Sequence, residues 1–260
     1  KGSKAAKTAP KVRNLKHPAV DYDHPACDQF GIGPDGKPIS DNLTGTGSDH
    51  VVKEHDPSKP HKMTLTQEEQ DIINGSQGEV MAKVLKTIVR HGELFGAERL
   101  ADCGGRPHSS LYTGSPWVTP VLEMFEEIAD AGLKSFAPYT VNPMVIDLFT
   151  VGRDPVKRSM ELEGFPLQGR LIEVHTRLGA VPLNDWSCAC YLPQIGNTAE
   201  PGTVVTWAES SAVNYGNSVL GLRVNRIATG MEVLCAIAGK VPVFGLVTDE
   251  GRVAKWHIDV

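Results

Sequence analysis

"SQGEVMAKVLKTIVRHGELFGAERLADC", residues 76–103, sets a helix beside a strand and so frames the fold. Ser76 stands three before Glu79, the spacing of a capping box that satisfies free amides at a helix start. Val80, Val84, Ile88 and Leu94 then fall broadly on one side, and Gly92 sits near the expected end. Leu100 to Cys103 follows as a short strand candidate. One helix packed on one strand cannot bury both apolar faces, so further layers must follow.

Working outward, the same alternation continues. Upstream, Thr66 and Glu69 repeat the capping-box spacing, predicting a helix before the first. Downstream, Thr119-Pro120 supplies the cap and first-turn proline of a helix reaching about Gly132, and Ser135 to Val141 reads as a strand. Leu167, Leu171, Val174 and Leu178 recur at helical spacing before Gly179, with Val181 to Leu183 as the next strand. Met231 to Lys240 reads as helix, and Val241 to Val247 and Val253 to Val260 as β-rich segments. The expectation is an α/β fold, layered, with a largely parallel sheet flanked by helices. Residues 1–62, rich in Pro, Gly, Asp, His and Lys, lack either period and read as an extended arm or linker, leaving 63–260 as the folded region.

Composition narrows the partners. Hydrophobic residues make up 40% and charged residues 22% of the 260, ordinary for a soluble globular chain. A net charge of -5 gives no general electrostatic reason to hold nucleic acid or an anionic membrane surface. The apolar runs Val233–Ile237 and Val241–Val247 are far too short to cross a bilayer. Five cysteines are an odd number for a disulfide framework and fit a reducing compartment, so the expected location is cytoplasmic. Lys1 to Val20 is basic and free of acids, loosely like a transit peptide, but Pro10 and Pro18 oppose the required helix and favour a solvated tail.

In parallel α/β sheets the loops after strands gather at one edge and carry the chemistry. Four polar clusters hold such positions: "GGRPHSS" (104–110), "YTVNP" (139–143), "NDWSCACY" (184–191) and "WAESSAVNYGNSVLG" (207–221) running on into "LRVNR" (222–226). Read from the residues, each leaves alternatives open. His108 beside two serines lacks the G-x-S-x-G elbow of a hydrolase, and Gly216 and Gly221 lack nucleotide-loop spacing. Cys188 and Cys190 suit a metal or two buried small hydrophobes; Cys103 and Cys235 read as core, and Cys27 has no assignable role. Arg223 and Arg226 offer forks to a carboxylate or phosphate, or pair with a neighbouring acid. Glu209 beside Trp207 suits an acid or base, or a group that orients its loop. Ser210, Ser211, Asn217 and Ser218 bind carboxylate oxygens or cap a helix.

In combination the motifs are more specific. "MTLTQEEQDIINGSQGEVMAKVLKTIVRHGELFGAERL", "PHSS", "PYTVNP", "SCACYLP", "TWAESSAVNYGNSVLGLRVNR" and "GKVPVFGLVTDEGR" follow one another in an order that resembles the large subunit or domain of the aconitase X family. The departures are Ser187-Cys188-Ala189-Cys190-Tyr191 for a common Thr-Cys-Thr-Pro-Tyr, and Gly221-Leu222-Arg223-Val224-Asn225-Arg226 for Gly-Ala-Arg-Thr-Asn-Arg. The resemblance implies an aconitase-like hydro-lyase that removes water from a small hydroxy acid at an iron or iron-sulfur cluster. It places Glu209, Ser210, Ser211 and His108 among catalytic residues. It places Ser109, Ser110, Thr140, Asn142, Tyr191, Asn217, Ser218, Arg223, Asn225 and Arg226 at the substrate. Cys188 is then the expected metal ligand, with Cys190, at the family's proline position, as an extra. It further implies a small swivelling subunit or domain as partner, and a chain incomplete at its C-terminal end, since the family's Gly-Cys-Pro-His motif does not occur in it. cis-3-Hydroxy-L-proline is the expected substrate, because a phosphate such as that of mevalonate 5-phosphate calls for more clustered basic charge. A non-catalytic binding or assembly member is the alternative.

Overall fold

The structure, a computed structural model, describes residues 61–110, 118–142, 155–156, 167–225, 227 and 230–254. The chain divides into Lys1–Pro60 and a compact unit, His61–Val260. The expected arm, Cys27, Arg226 and most of the last β-rich segment lie outside the described residues. In chain order the elements are α1 Gln67–Ile73, α2 Glu79–Leu94, β1 Leu100–Asp102, β2 His108–Ser109, α3 Val118–Asp130, β3 Thr140–Val141, α4 Gln168–Arg177, α5 Ser210–Ser218, α6 Met231–Ala238 and β4 Lys240–Pro242. No described helix is long and apolar enough to cross a membrane.

The two capping boxes fare differently. Thr66 accepts from the Glu69 amide while the Glu69 carboxylate accepts from the Thr66 amide, closing the box at α1. At α2 the cap is Gly78, with φ of 90° and no side-chain bond, so Ser76 does not cap this helix. A left-handed backbone that only glycine adopts cheaply sets the entry instead. The buried stripe of α2 is Met81, Ala82, Val84, Leu85, Ile88, Val89 and Gly92, whereas Leu94 is exposed. It packs on α1, α3, α6 and β4. On the outer side α3 and α4 lie together, joined by a forked pairing of Arg170 with Glu126 at 2.9 and 2.7 Å and by Arg177 with Asp130.

The strands are shorter than expected, and proline is the reason. Ser135–Val141 yields only β3 beyond Pro138; Val181–Leu183 yields one bridge at Ala180 before Pro182 and a 3-10 turn; Pro242 closes β4. A proline has no N–H to give to a ladder. What remains is still parallel at its centre. β2 pairs with β3 in register His108↔Thr140, Ala180 pairs beside Tyr139, and Trp207 beside His108, all parallel. The antiparallel pair β1–β4 stands apart from this lattice. The result is an α/β fold of small sheets wrapped by helices.

Two apolar clusters fill it. The larger gathers α2, α3, α4, α6 and the strands. The smaller holds Cys190, Val205, Trp207, Ala212, Val213, Leu222 and Val224, with Tyr191 packed against it. Gly216 of α5 lies so close to the Trp207 indole that an added Cβ would stand 3.1 Å from the ring. Stretch 207–221 therefore packs a core on one side, which is why it is poor in large side chains.

Candidate active site

The parallel lattice brings His108 and Thr140 side by side, because they are register partners across β2 and β3. Both are fully buried, and the His108 Nδ1 lies 2.9 Å from the Thr140 Oγ1. Asn197 completes the row: its amide nitrogen donates to the Thr140 Oγ1 at 2.6 Å and to the Pro107 carbonyl at 3.3 Å. The carbonyl contact fixes which end of the amide is the donor. The Thr140 hydroxyl thus bridges the Asn197 amide and the His108 Nδ1, which fixes the ring so that Nε2 is turned the other way. That nitrogen faces the Glu209 Oε2 at 3.4 Å, a long contact of the kind that tightens on ligand binding.

Glu209 occupies the N-cap position of α5, where a carboxylate ordinarily accepts from the helix amides. It makes no such bond. Its φ of 80° is the sole positive value among the described non-glycine residues, a strained backbone for an L side chain. The strain turns the carboxylate away from the helix toward His108 while leaving the side chain 19% exposed. Ser210 and Ser211 follow in the first turn of α5, both exposed.

On the other side of His108, Ser109 is buried and donates from Oγ to the Glu232 Oε1 at 2.9 Å. Ser110 is half-buried and accepts from the Asn142 side chain at 3.3 Å. Burial pushes the Glu232 carboxyl up to about 7, against nearby backbone amides and Ser109, which favour its charge. Behind β3, the Tyr139 hydroxyl meets the His175 Nδ1 at 2.6 Å, and burial pushes that imidazole down to about 3, so it is neutral.

The Cys188 loop reaches the same region. Cys190 shares the smaller cluster with Trp207 and α5, Tyr191 stacks on Tyr215 with ring centres 4.4 Å apart, and the Glu209 charge is felt at Cys190. Among the described cysteines only Cys188 is exposed; burial pushes the Cys190 thiol far up, and its side chain packs into the smaller cluster. Cys103 is pushed up to about 12 by burial and Cys235 is wholly buried, matching their core reading.

Several residues expected at the substrate are committed elsewhere. Asn217 binds the Val213 and Val224 carbonyls and accepts from Val224 and Arg252; Ser218 bonds back to the Asn214 carbonyl. Asn225 spans Phe244 and Leu246. Arg223 holds the Val247 carbonyl and Asp249, the ion-pair alternative for that residue. It lines a cleft of about 500 Å³ with Arg99, Thr248 and Asp249, separate from the residues around His108. Two members of the site carried little sequence signal: Asn197 lies in an ordinary polar turn, and Glu232 is the single acid in an apolar helix, a pattern that does mark a buried carboxylate.

Known proteins share this arrangement's sequence. The chain is 32% identical over 199 residues to the cis-3-hydroxy-L-proline dehydratase of Pseudomonas aeruginosa, covering 74% of this chain and 31% of that one. It is 32% identical over 195 residues to the phosphomevalonate dehydratase large subunit of Aeropyrum pernix, covering 73% and 47%. The crystal structure of Thermococcus kodakaraensis aconitase X in its holo-form superposes with a TM-score of 0.58 at 28% identity, covering 73% of this chain and 45% of that chain. The chain thus spans about a third to a half of the length of these relatives. Residues 62–250 match the aconitase X first domain, and the chain belongs to the aconitase X family.

Proposed function

We propose that this chain supplies part of the active site of a hydro-lyase that removes water from a small hydroxy acid. The observation that carries the reading is the strained Glu209, turned from its own helix to meet His108. Dehydration beside a carboxylate needs a base for the α-proton, and Glu209 is a partly buried carboxylate that still reaches solvent. His108, its ring held by Thr140 and through it by Asn197, turns Nε2 to that carboxylate and orients it. Ser110 and Asn142, with Ser210 and Ser211, offer hydroxyl and amide donors for the substrate's carboxylate.

Kinship with aconitases implies an iron-sulfur cluster that would assist departure of the hydroxyl. The described residues do not by themselves fit one: no group of three metal-binding side chains occurs among them, and Cys190 is packed away. Cys188 remains the ligand we propose, with further donors outside the described residues and a small swivelling subunit or domain as partner. Arg223, already paired with Asp249, leaves less free positive charge for a phosphate and favours cis-3-hydroxy-L-proline over mevalonate 5-phosphate.

The test is an anaerobic assay of the full protein with its small partner, on both acids, with iron and sulfide analysis. The expected result is dehydration of cis-3-hydroxy-L-proline, reduced at least about 100-fold in Glu209→Gln with the fold intact. Turnover of neither acid by the metal-loaded protein overturns the reading and leaves a binding or assembly role.

A further inference from the structure

Glu232 is the one buried carboxylate beside the site that the chemistry above does not use. It lies in the first turn of α6, which packs on β2, and is 1% exposed. One oxygen, Oε1, accepts from the Ser109 hydroxyl; the other, Oε2, has no hydrogen-bond partner. The amides of Ser110, Gly230 and Glu232 itself face the carboxyl and favour its charge. Its backbone is pinned as well, since the Thr206 hydroxyl donates to the Glu232 carbonyl. Thr206 immediately precedes Trp207 and its carbonyl accepts from the His108 amide. Glu232 therefore touches both chain segments that carry the His108–Glu209 contact, without touching the contact itself.

A carboxyl group with one satisfied and one orphan oxygen is poised between two states. As a carboxylate it accepts from the Ser109 hydroxyl, but leaves a buried lone-pair set on Oε2 unpaired, which is costly. With a proton on Oε2 that cost falls, and the pull on the Ser109 hydroxyl, and so on the adjacent Ser110, falls with it. The ionisable groups around it are Tyr139, just before β3, and Cys235 one turn along α6, both pushed up by burial and neutral at pH 7. His108, next to Ser109 on β2, directs its side chain to the opposite face, where it meets Glu209.

We propose that Glu232 is a positioning residue of this site: its carboxylate, buried behind β2, holds Ser109, and with it the adjacent Ser110, in place and loosens that hold when it takes up a proton. The site consequence rests on the dehydratase reading, because it assigns Ser110 and its partner Asn142 to the substrate. The effect on turnover falls mainly on KM, since Glu209 and His108 stay where they are.

Two measurements on the full chain test this. The first is the amide shift of Ser110 by NMR between pH 5.5 and 8.5, which needs no substrate. It should titrate with a midpoint near 7 in the wild type and be flat in Glu232→Gln. A flat wild-type curve overturns the proposal even if the variant does not fold. The second is kinetics with the metal-loaded, partnered protein. In Glu232→Gln, KM should rise about tenfold with kcat within a factor of about three, and the acid-side fall of kcat/KM through pH 7 should vanish. An unchanged pH profile in the variant overturns it. An inactive wild type with a titrating Ser110 amide would instead refute the dehydratase reading and keep Glu232 as the holder of this loop.

Discussion

Glu209 sits at a residue-scale conflict between backbone preference and side-chain placement. A φ of 80° favours glycine, yet the position holds an acid whose carboxylate serves neither as helix cap nor as a surface charge. Such strain is carried where side-chain placement is worth more than local stability. Glu209→Gly should therefore leave the unfolding free energy unchanged or raised by up to about 1 kcal/mol, by chemical denaturation, while abolishing dehydration. A loss of more than about 1 kcal/mol would show that the conformation is not strained. At this scale the sequence was informative about chemistry-bearing residues: His108, Thr140 and Glu209 lie far apart along the chain and meet in the structure. It was silent about Asn197, because a polar residue in a turn has no periodic context to betray its burial. For Asn217, Asn225 and Arg223 the residue type suggested a ligand, but the backbone carbonyls and amides they hold are set only by tertiary folding.

Elements were legible in proportion to their length. α2 and α4 show three or more turns' worth of apolar spacing, and both lie where the spacing predicts. Strands of two or three residues have too few positions for a period, and Pro138, Pro182 and Pro242 cut each expected run short. Helix starts make the same point with a pair of matched motifs. Thr66 and Ser76 stand at identical spacing from Glu69 and Glu79, yet only the first closes a box. Thr66→Ala should cost about 1 kcal/mol in thermal unfolding and Ser76→Ala close to nothing. Equal losses would mean that α2 is capped by Ser76 in solution.

Across the whole molecule, two buried groups shape the dependence of stability on pH in opposite senses. The folded-state value of Glu232 lies at about 7, above its ordinary 4.5, so the native state binds the extra proton and stability falls as pH rises from 4.5 to 7. His175 lies at about 3, below its ordinary 6.5, so the unfolded state binds the extra proton and stability falls as pH drops from 6.5 toward 3. Each effect is on the order of 3 to 5 kcal/mol over its full window. Between pH 4.5 and 6.5 they offset, and unfolding free energy should be nearly level there. Glu232→Gln should remove one arm and give a curve that climbs from pH 4.5 to 6.5 and then stays level. A variant curve parallel to the wild type would place the titration on other groups.

The smaller apolar cluster has a mechanical consequence. Cys190 and Tyr191 are seated on Trp207 and α5, with Gly216 pressed against the indole face, so the exposed thiol at 188 is carried on the same packed block as the acid at 209. A displacement of that block as a unit would carry sulfur and carboxylate together and keep their spacing.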